Sequence, residues 1–340
     1  HDVTPVVGGI WRPAVELLRD AARLARSVRA GMAMRGLVKA DLSPVTVADY
    51  AVQALAGRRL VEAWPGVPLV AEESSEALRG TEGGKAVLEL VTQFVSQYAS
   101  GATTDHICDW IDRGGSDNAP EFWTLDPVDG TKGYLRGGQY AVALALVKDG
   151  VPVWGGLACP GLAEDGAPDA MSGGLLAVAA RGQGAWSIPL GWDPADASAW
   201  RPLTVSRCTD PARARLLRSV ERSHTNEAQI EEIARRLGVR AEPVLMDSQA
   251  KYVSLAAGAG EILLRLLSPD RPDYVEKIWD HAAGWVVLSE AGGTITDMNG
   301  LALDFSQGRL MRANRGLLAT NGPLHDGVLQ VVRQVTGFRT

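Results

Sequence analysis

The sequence predicts an α/β fold in which an α+β first half is followed by a half that alternates helices with strands. Helical apolar patterns open the chain, paired apolar runs with Gly-containing turns fill its middle, and helix and strand patterns alternate after residue 226. A chain of 340 residues fits two domains or one large two-part unit. We expect domains at 1–200 and 201–340, with the crossing in segment 189–202.

Helices come first in the chain. Residues 13–30 gather apolar side chains on one face and arginines elsewhere, which is typical of an amphipathic helix. A second helix begins after a Ser-Pro break and runs toward Trp64, and a third covers 81–100. The segment 101–121 is polar and contains several Gly and Asp residues, so we expect a mobile loop there.

The strands of the first half follow. Four apolar runs form two pairs, which are 140–147 with 153–158 and 175–180 with 185–188. A turn containing Asp-Gly joins the first pair and Arg-Gly-Gln-Gly joins the second, and such turns predict antiparallel hairpins. Residues 161–173 and 189–202 are expected at the surface.

The second half is predicted to alternate between the two kinds of element. Its helices are expected at 226–237, 247–257, 276–290 and 324–335, and its strands at 261–267, 295–298, 301–305 and 316–320. This alternation is typical of an α/β unit.

Composition excludes several classes of protein. The net charge is -6 with 22% charged residues, which favours neither a nucleic-acid polymer nor an anionic membrane as partner. Cys108, Cys159 and Cys208 are widely spaced, so neither a disulfide framework nor a zinc site is expected. No apolar run has the length of a membrane span. We expect a cytoplasmic protein, and an organelle after removal of a transit segment stays open.

One motif carries most of the functional information. An apolar run ends in Asp126-Pro127-Val128-Asp129, which Gly130-Thr131 follows, so a buried strand is expected to lead into a helix start. The two carboxylates are hard oxygen ligands of the kind that Mg²⁺ prefers. The free amides at the helix start favour an anion. Taken alone, the Asp-Pro dipeptide would favour a capped turn, and the whole motif with its downstream partners reverses that preference.

Three further acids extend this pattern. Glu72 follows another apolar strand, Asp49 falls in the first turn of a helix, and Asp280 lies beside an apolar helix face. Alone, Asp49 would be interpreted as a favourable charge against the helix dipole, and Asp280 as the partner of a nearby cation. His281 is expected to be packed or exposed and not a ligand, because oxygen-rich magnesium sites seldom use imidazole.

Together these residues resemble a known group of enzymes. The set Asp49, Glu72, Asp126, Asp129-Gly130-Thr131 and Trp279-Asp280 resembles the inositol monophosphatase superfamily of metal-dependent, lithium-sensitive phosphatases. Within it the chain is most similar to the 3'(2'),5'-bisphosphate nucleotidases of plants and yeast. The motifs that carry this similarity are 43–50, 112–115, 126–140, 247–252 and 277–284. Segments 161–173, 192–200 and 266–270 depart from the family's pattern.

The resemblance implies a layered α/β/α/β/α sandwich of the sugar-phosphatase type, with two to three Mg²⁺ ions where its halves meet. Glu72, Asp126 and the carbonyl of Val128 would hold one ion, and Asp126, Asp129 and Asp280 a second. A third, weaker ion would lie near Glu72 and Asp49. Inhibition by Li⁺ is also implied.

The resemblance gives Asp49 and Thr131 the catalytic role. Their hydrogen-bonded side chains would orient and deprotonate a metal-activated water that attacks phosphorus. The chemistry is reasonable because a phosphate monoester repels hydroxide, and because Thr131 needs a group such as Asp49 to take a proton.

The resemblance also implies a phosphorylated nucleotide as the small-molecule partner. Its contacts would be Gly130, Thr131, Ser223, His224, Ser248, Lys251, Tyr252, Arg265 and Asp280. Lys251 and Arg265 suit a clamp on the phosphate that is not cleaved, although each could equally be a solvated surface cation.

The favoured hypothesis is removal of the 3'-phosphate of adenosine 3',5'-bisphosphate, and of its sulfated precursor, giving AMP or adenosine 5'-phosphosulfate. An inositol polyphosphate 1-phosphatase, dual activity and a non-catalytic nucleotide sensor remain alternatives. The oligomeric state is left open, a monomer included.

Overall fold

The structure is a computed structural model that describes residues 2–34, 43–117, 119–220 and 225–337. Helices α1 to α11 span Thr4–Val7, Arg12–Met34, Pro44–Ala63, Glu76–Gly80, Glu82–Val95, Thr104–Asp112, Thr131–Arg136, Glu227–Leu237, Ala250–Ala256, Ala282–Glu290 and His325–Thr336. Strands β1 to β12 span Leu69–Ala71, Glu121–Asp129, Ala141–Lys148, Val151–Cys159, Leu175–Ala180, Ala185–Pro189, Arg201–Leu203, Leu216–Arg218, Val244–Leu245, Ile262–Arg265, Thr294–Thr296 and Leu317–Thr320.

The first sheet contains seven strands in sequence order, β1 to β7. Its first pair, β1 with β2, is parallel, and every later pair is antiparallel. The two predicted hairpins are β3 with β4 and β5 with β6. Strand β7 extends this sheet slightly past residue 200, and the predicted division into two domains stays a prediction.

The second sheet has five strands in the order β11-β12-β10-β8-β9. Strand β10 is parallel to β8, which is parallel to β9, whereas β12 runs antiparallel to both of its neighbours. The carboxyl ends of β8 and β10 therefore lie side by side, which is where open α/β sheets bind ligands.

Three apolar clusters define five layers. In the first cluster, α2, α3 and α5 pack on one face of the seven-stranded sheet. In the second, α9 and α10 fill the space between the two sheets. In the third, α8 and α11 cover the outer face of the five-stranded sheet. This order of helices and sheets confirms the predicted α/β/α/β/α sandwich.

Three predicted elements differ from the structure, at 101–121, 301–305 and 276–290. The segment 101–121, predicted to be a loop, contains α6, which Thr103 caps and which buries Ile107 and Ile111 one turn apart. The strand predicted at 301–305 is not formed, because side chains take up the backbone groups of this segment. The Asp297 carboxylate, for example, accepts the Leu301 amide at 2.9 Å.

Asp280 lies outside the helix that was predicted to contain it. The backbone at Lys277 bridges to Leu310, and a 3₁₀ turn, Ile278–Asp280, follows before α10 begins. The bridge holds the first residues of the predicted helix in extended backbone, so Asp280 projects from a turn that faces the first sheet.

Candidate active site

Three acids reach one edge of the first sheet because β1 and β2 are parallel. The register pairs Ala71 with Leu125, so both strands end on the same side. Glu72 directly follows β1, while Asp126 and Asp129 lie at the end of β2. The strand pairing therefore brings together acids that are far apart in the sequence.

A β-bulge turns the two β2 acids toward the same face. Asp126 pairs with Ala143 and Asp129 with Ala141, so two residues between the acids oppose a single residue of β3. On a regular strand, side chains three positions apart point to opposite faces, and the extra residue removes that difference. Pro127 occupies the bulge, where its missing N–H costs no ladder hydrogen bond. Both carboxylates consequently lie on the face covered by α9 and α10.

Asp280 joins these acids from the second half of the chain. Burial raises the pKa of Asp126 well above its ordinary value. The pKa of Asp126 is raised further by four negative neighbours, which are Asp129, Asp280, Glu72 and Asp49. The acids predicted from the sequence therefore lie in one neighbourhood.

Asp49 lies on α3, and Thr131 is the first residue of α7. Burial raises the pKa of Asp49 well above its ordinary value, and the charges of Glu73 and Glu72 add to this effect. Within the described residues, no hydrogen bond joins Asp49 to the exposed Thr131. The contact implied by the resemblance would thus need a side-chain movement.

A buried glutamine that was not predicted fixes the backbone after β1. The Gln53 side chain donates to the carbonyl of Glu73 at 2.7 Å and accepts the Glu73 amide at 2.9 Å. It lies one helical turn after Asp49, so α3 carries both an acid of the site and the residue that holds the strand end. Its spacing from Asp49 was the available signal, but an amide inside an apolar helix is not by itself diagnostic.

The acids fit a hard divalent cation. Glu72 accepts from Lys277 at 3.0 Å, and an Arg265 nitrogen lies 3.9 Å from Asp280. Among the described residues, no Lys or Arg side chain forms an ion pair with Asp126, with Asp129 or with Asp49. The buried carboxylates outnumber the nearby cations, and they offer only oxygen atoms as ligands. Both features match the ligands that Mg²⁺ takes in proteins.

A more compact group of possible metal ligands lies beside this one. Glu276, Asp280 and His281 bring ligand atoms within 4.8 Å of one another, a spacing that the predicted acids do not reach in the described chain. Two of these residues already have partners. His281 bonds to Glu276 and to Tyr252, at 2.8 Å in each case, and Arg265 binds Glu276 at 2.8 Å. We interpret this group as a network that orients Arg265.

A cavity of about 360 Å³ opens next to the acids, at the ends of β8 and β10. Eight of the predicted site residues line it, namely Asp129, Gly130, Thr131, Ser248, Lys251, Tyr252, Arg265 and Asp280. Its size suits a nucleotide-sized ligand. Glu72 instead lines a neighbouring opening of about 630 Å³ together with Asp117, Lys277 and Arg309.

The two predicted phosphate-binding cations lie on the wall of this cavity. Burial lowers the pKa of Lys251 to about 8, and the charge of Arg265 adds to this effect. The Lys251 ammonium donates to the Ser219 hydroxyl at 2.6 Å. Because Glu276 holds Arg265, the guanidinium is fixed before a ligand arrives. Glu276 was not predicted as a site residue, although an acid four positions before Asp280 was a usable signal.

The approach of two loops shapes the acidic end of the cavity. Gly130 has φ of +88°, and a Cβ added there would lie 2.7 Å from the Ser248 side chain. Ser248 itself has φ of 71°, a backbone conformation uncommon for a residue other than glycine. The Gln249 amide donates to Asp129 at 2.5 Å, which ties the two loops together.

Two predicted contacts cannot be placed. Ser223 and His224 lie outside the described residues. Within the described part of the chain, no helix has the length and apolar character needed to cross a membrane.

Comparison with known proteins gives consistent matches. A family model described as "Inositol monophosphatase family" matches residues 6–336. A 3'(2'),5'-bisphosphate nucleotidase of Oryza sativa is 41% identical over 332 residues, covering 92% of this chain and 90% of that protein. The 3'(2'),5'-bisphosphate nucleotidase of Schizosaccharomyces pombe is 37% identical over 340 residues, covering 95% of this chain and 94% of that protein.

Solved structures share the fold. An inositol monophosphatase from Anabaena superimposes with a TM-score of 0.60 at 20% identity, covering 95% of this chain and 94% of that one. SuhB of Mycobacterium tuberculosis gives a TM-score of 0.60 at 20% identity, with 95% of both chains covered.

Proposed function

The chain belongs to the inositol monophosphatase family, and from that membership we propose that it is a phosphoric monoester hydrolase acting on 3'(2'),5'-bisphosphate nucleotides. The substrate we favour is adenosine 3',5'-bisphosphate, which would lose its 3'-phosphate to give AMP. Its sulfated precursor would give adenosine 5'-phosphosulfate in the same reaction.

The observation that carries the proposal is the charge distribution around one cavity. Asp129 and Asp280 line it together with Lys251 and Arg265. A bisphosphate has two anionic groups with different needs. The phosphate to be cleaved requires cations beside the acids, and the retained phosphate can bind the Lys and Arg side chains directly. The nucleotidases of rice and fission yeast support the same substrate class.

We propose Mg²⁺ as the cation, in two to three sites. Glu72, Asp126, Asp129, Asp280 and the carbonyl of Val128 would hold it. When bound, Mg²⁺ supplies positive charge that neutralises the phosphate and lowers the pKa of water. The excess of buried carboxylates is the feature of this chain that supports the assignment.

The chain's own residues would then act as follows. Asp49 would accept a proton from the Thr131 hydroxyl, which orients the attacking water. The amide of Gly130 would donate to the transferred phosphate at the start of α7. Lys251 and Arg265 would hold the 5'-phosphate, and Tyr252 would pack beside them. Ser223, His224 and Ser248 would complete the nucleotide contacts.

The test is phosphate release from a panel containing adenosine 3',5'-bisphosphate, adenosine 3'-monophosphate and inositol phosphates. We expect Mg²⁺-dependent release, fastest from the bisphosphate, and inhibition by Li⁺. Good turnover of an inositol polyphosphate without turnover of the bisphosphate would contradict the proposal. Nucleotide binding without any turnover would favour a sensor.

A variant sharpens this test. Lys251→Met removes one charged contact and should lower kcat/KM for the bisphosphate about 10- to 100-fold, since a hydrogen bond to a charged group contributes about 1.5–3 kcal/mol. Release from the 3'-monophosphate should change little. Lys148→Met, at the exposed end of β3, is the matched control. Equal losses on both substrates would argue against a 5'-phosphate clamp.

A further inference from the structure

We propose that Glu227 recognises the 6-amino group of the substrate's adenine base, which would make it a specificity-determining residue. This inference rests on the proposed nucleotide substrate. Glu227 lines the same cavity as Lys251 and Arg265. It was not among the residues that the sequence indicated.

The position of Glu227 follows from the second sheet. Strands β8 and β10 are parallel and end together at Arg218 and Arg265. Thr225 anchors the segment before α8 to the end of β10, because its hydroxyl accepts the Leu266 amide at 3.0 Å and donates to the Leu266 carbonyl at 3.1 Å. Glu227 is the first residue of α8 and is therefore held over the strand ends.

The two carboxylate oxygens of Glu227 differ in their hydrogen bonds to the described residues. Its Oε2 accepts from the Arg218 guanidinium. Its Oε1 is buried and, among the described residues, has no hydrogen-bond partner. A buried acceptor without a donor costs free energy, so a ligand that supplies an N–H there gains affinity.

The surroundings of Glu227 favour a planar base over a sugar or a second phosphate. Leu216, Ile230 and Leu264 line the cavity and belong to the apolar cluster beneath α8. The register of β8 and β10 directs Leu216 and Leu264 to one face of the sheet, where Ile230 of α8 joins them, whereas Arg265 points to the other face, toward Glu276. A nucleotide matches both faces. Its anionic phosphate suits Arg265, and its flat apolar base, with polar groups at the edge, suits the leucines and Glu227.

The hydrogen-bonding groups of the bases predict which base is preferred. Adenine presents an amino group at position 6, which can donate to Oε1. Hypoxanthine presents a carbonyl oxygen there, which would face a carboxylate oxygen and leave both without a donor. The structure therefore predicts a preference for adenosine over inosine nucleotides.

The experiment compares kcat/KM for adenosine and inosine 3',5'-bisphosphates, and the dissociation constants of AMP and IMP. We expect the wild type to favour the adenine nucleotide about 10- to 100-fold, the range set by leaving a buried polar group unpaired. In Glu227→Gln the amide oxygen would face Arg218 and the NH₂ would face the base. The preference should then shrink to within about threefold or reverse toward inosine.

Glu231→Gln is the matched control. Glu231 lies one turn along α8, is also near Arg218 at 3.6 Å, and does not line the cavity. It should keep the wild-type ratio. Each ratio is measured within one variant, so loss of folded protein cannot mimic the effect.

The outcomes separate this inference from the proposed function. Equal use of adenosine and inosine bisphosphates by the wild type would overturn the role of Glu227 while leaving the nucleotidase proposal standing. A preference for guanosine, or a Glu227→Gln effect that disappears with 2'-deoxy nucleotides, would also overturn it, because another group would then be the one recognised. If no nucleotide is hydrolysed, unchanged AMP and IMP affinities in Glu227→Gln would overturn it independently.

Discussion

The negatively charged acids of the site repel one another in the folded chain. Burial and four negative neighbours raise the pKa of Asp126, and burial with Glu73 and Glu72 does the same for Asp49. Groups arranged in this way stabilise the fold only when positive charge is supplied. At the scale of single residues, the clustered acids therefore provide candidate metal ligands, and they lower the free energy of unfolding of the metal-free chain.

Replacing Asp126 should separate these two effects. Asp126→Asn is expected to lower phosphatase activity by a factor of about 100 or more, because an ionised ligand is lost. In EDTA its free energy of unfolding should rise by about 1 kcal/mol, since one buried repelling charge is removed. Activity assays and denaturant unfolding check the two effects. A less stable Asn variant in EDTA would contradict the electrostatic account.

Gly130 is predicted to be intolerant of a side chain. An alanine would have to adopt φ of +88° with its Cβ 2.7 Å from Ser248. Gly130→Ala should cost about 1–3 kcal/mol and reduce kcat, because the loop that bears Asp129 must shift. Gly83→Ala, in α5 with no atom within 4 Å of the added Cβ, is the control and should be neutral or slightly stabilising. Thermal unfolding of both variants gives the comparison.

At the scale of elements, the sequence correctly predicted the helices and strands that have strong local patterns. The long helices, both hairpins and the strand that ends at Asp129 were predicted, because apolar periodicity and turn residues agree there. Helix α6 was missed because charged residues surround the two apolar positions that it buries. Strand β8 was also missed, since three residues give no periodicity, and the position of Arg218 could not be predicted without it.

The site was predictable in a similar way. The acidic residues stand in recognisable motifs, and the resemblance of the chain to the family is confirmed by the match to residues 6–336, while the roles of the acids stay predictions. Residues that act through tertiary contact were not predictable. Gln53 and Glu276 lie four positions from Asp49 and Asp280, but that spacing does not show what they touch, and Arg309 lies in a segment without a motif. Only the fold shows the contacts of these three residues.

Arg309 connects two elements that carry acids. Its guanidinium donates to the carbonyls of Ala71 at 2.5 Å and of Gly114 and Ser116 at 3.2 Å. It also lies over the Trp279 ring, 4.8 Å from its centre. Ala71 precedes Glu72 and Trp279 precedes Asp280, so one side chain supports both segments.

Arg309→Ala should therefore be destabilising by about 2–4 kcal/mol, because it leaves half-buried carbonyls without a charged donor. Arg312→Ala is the control, since Arg312 is exposed and makes one long bond of 3.4 Å to Gln307. It should change stability by less than about 0.5 kcal/mol. Urea unfolding distinguishes the two, and equal effects would contradict a supporting role for Arg309.

At the scale of the whole molecule, the acids span both halves of the sandwich. Glu72, Asp126 and Asp129 come from the seven-stranded sheet, whereas Asp280 precedes α10, which fills the layer between the sheets. An ion bound by Asp126, Asp129 and Asp280 would contact both halves at once. Ion binding and global stability should then be linked.

Magnesium is expected to raise the unfolding temperature. At an ion concentration 100 times the dissociation constant, the gain in unfolding free energy should be about 2.7 kcal/mol. The effect should be much reduced in Asp280→Asn and not reproduced by NaCl at equal ionic strength. Scanning calorimetry with and without EDTA measures it, and identical curves would argue against a metal site between the halves.

The parallel pairing of β1 with β2 has a consequence for how this chain can change over evolutionary time. The acids lie close together because β1 and β2 end at the same edge of the sheet. This arrangement does not depend on the length of every turn between the two strands. Ser100 and Gly101, an exposed turn on this path between α5 and α6, are thus a place where the chain can be lengthened or grafted with a new recognition loop. Such variants should retain the catalytic chemistry while acquiring different surroundings.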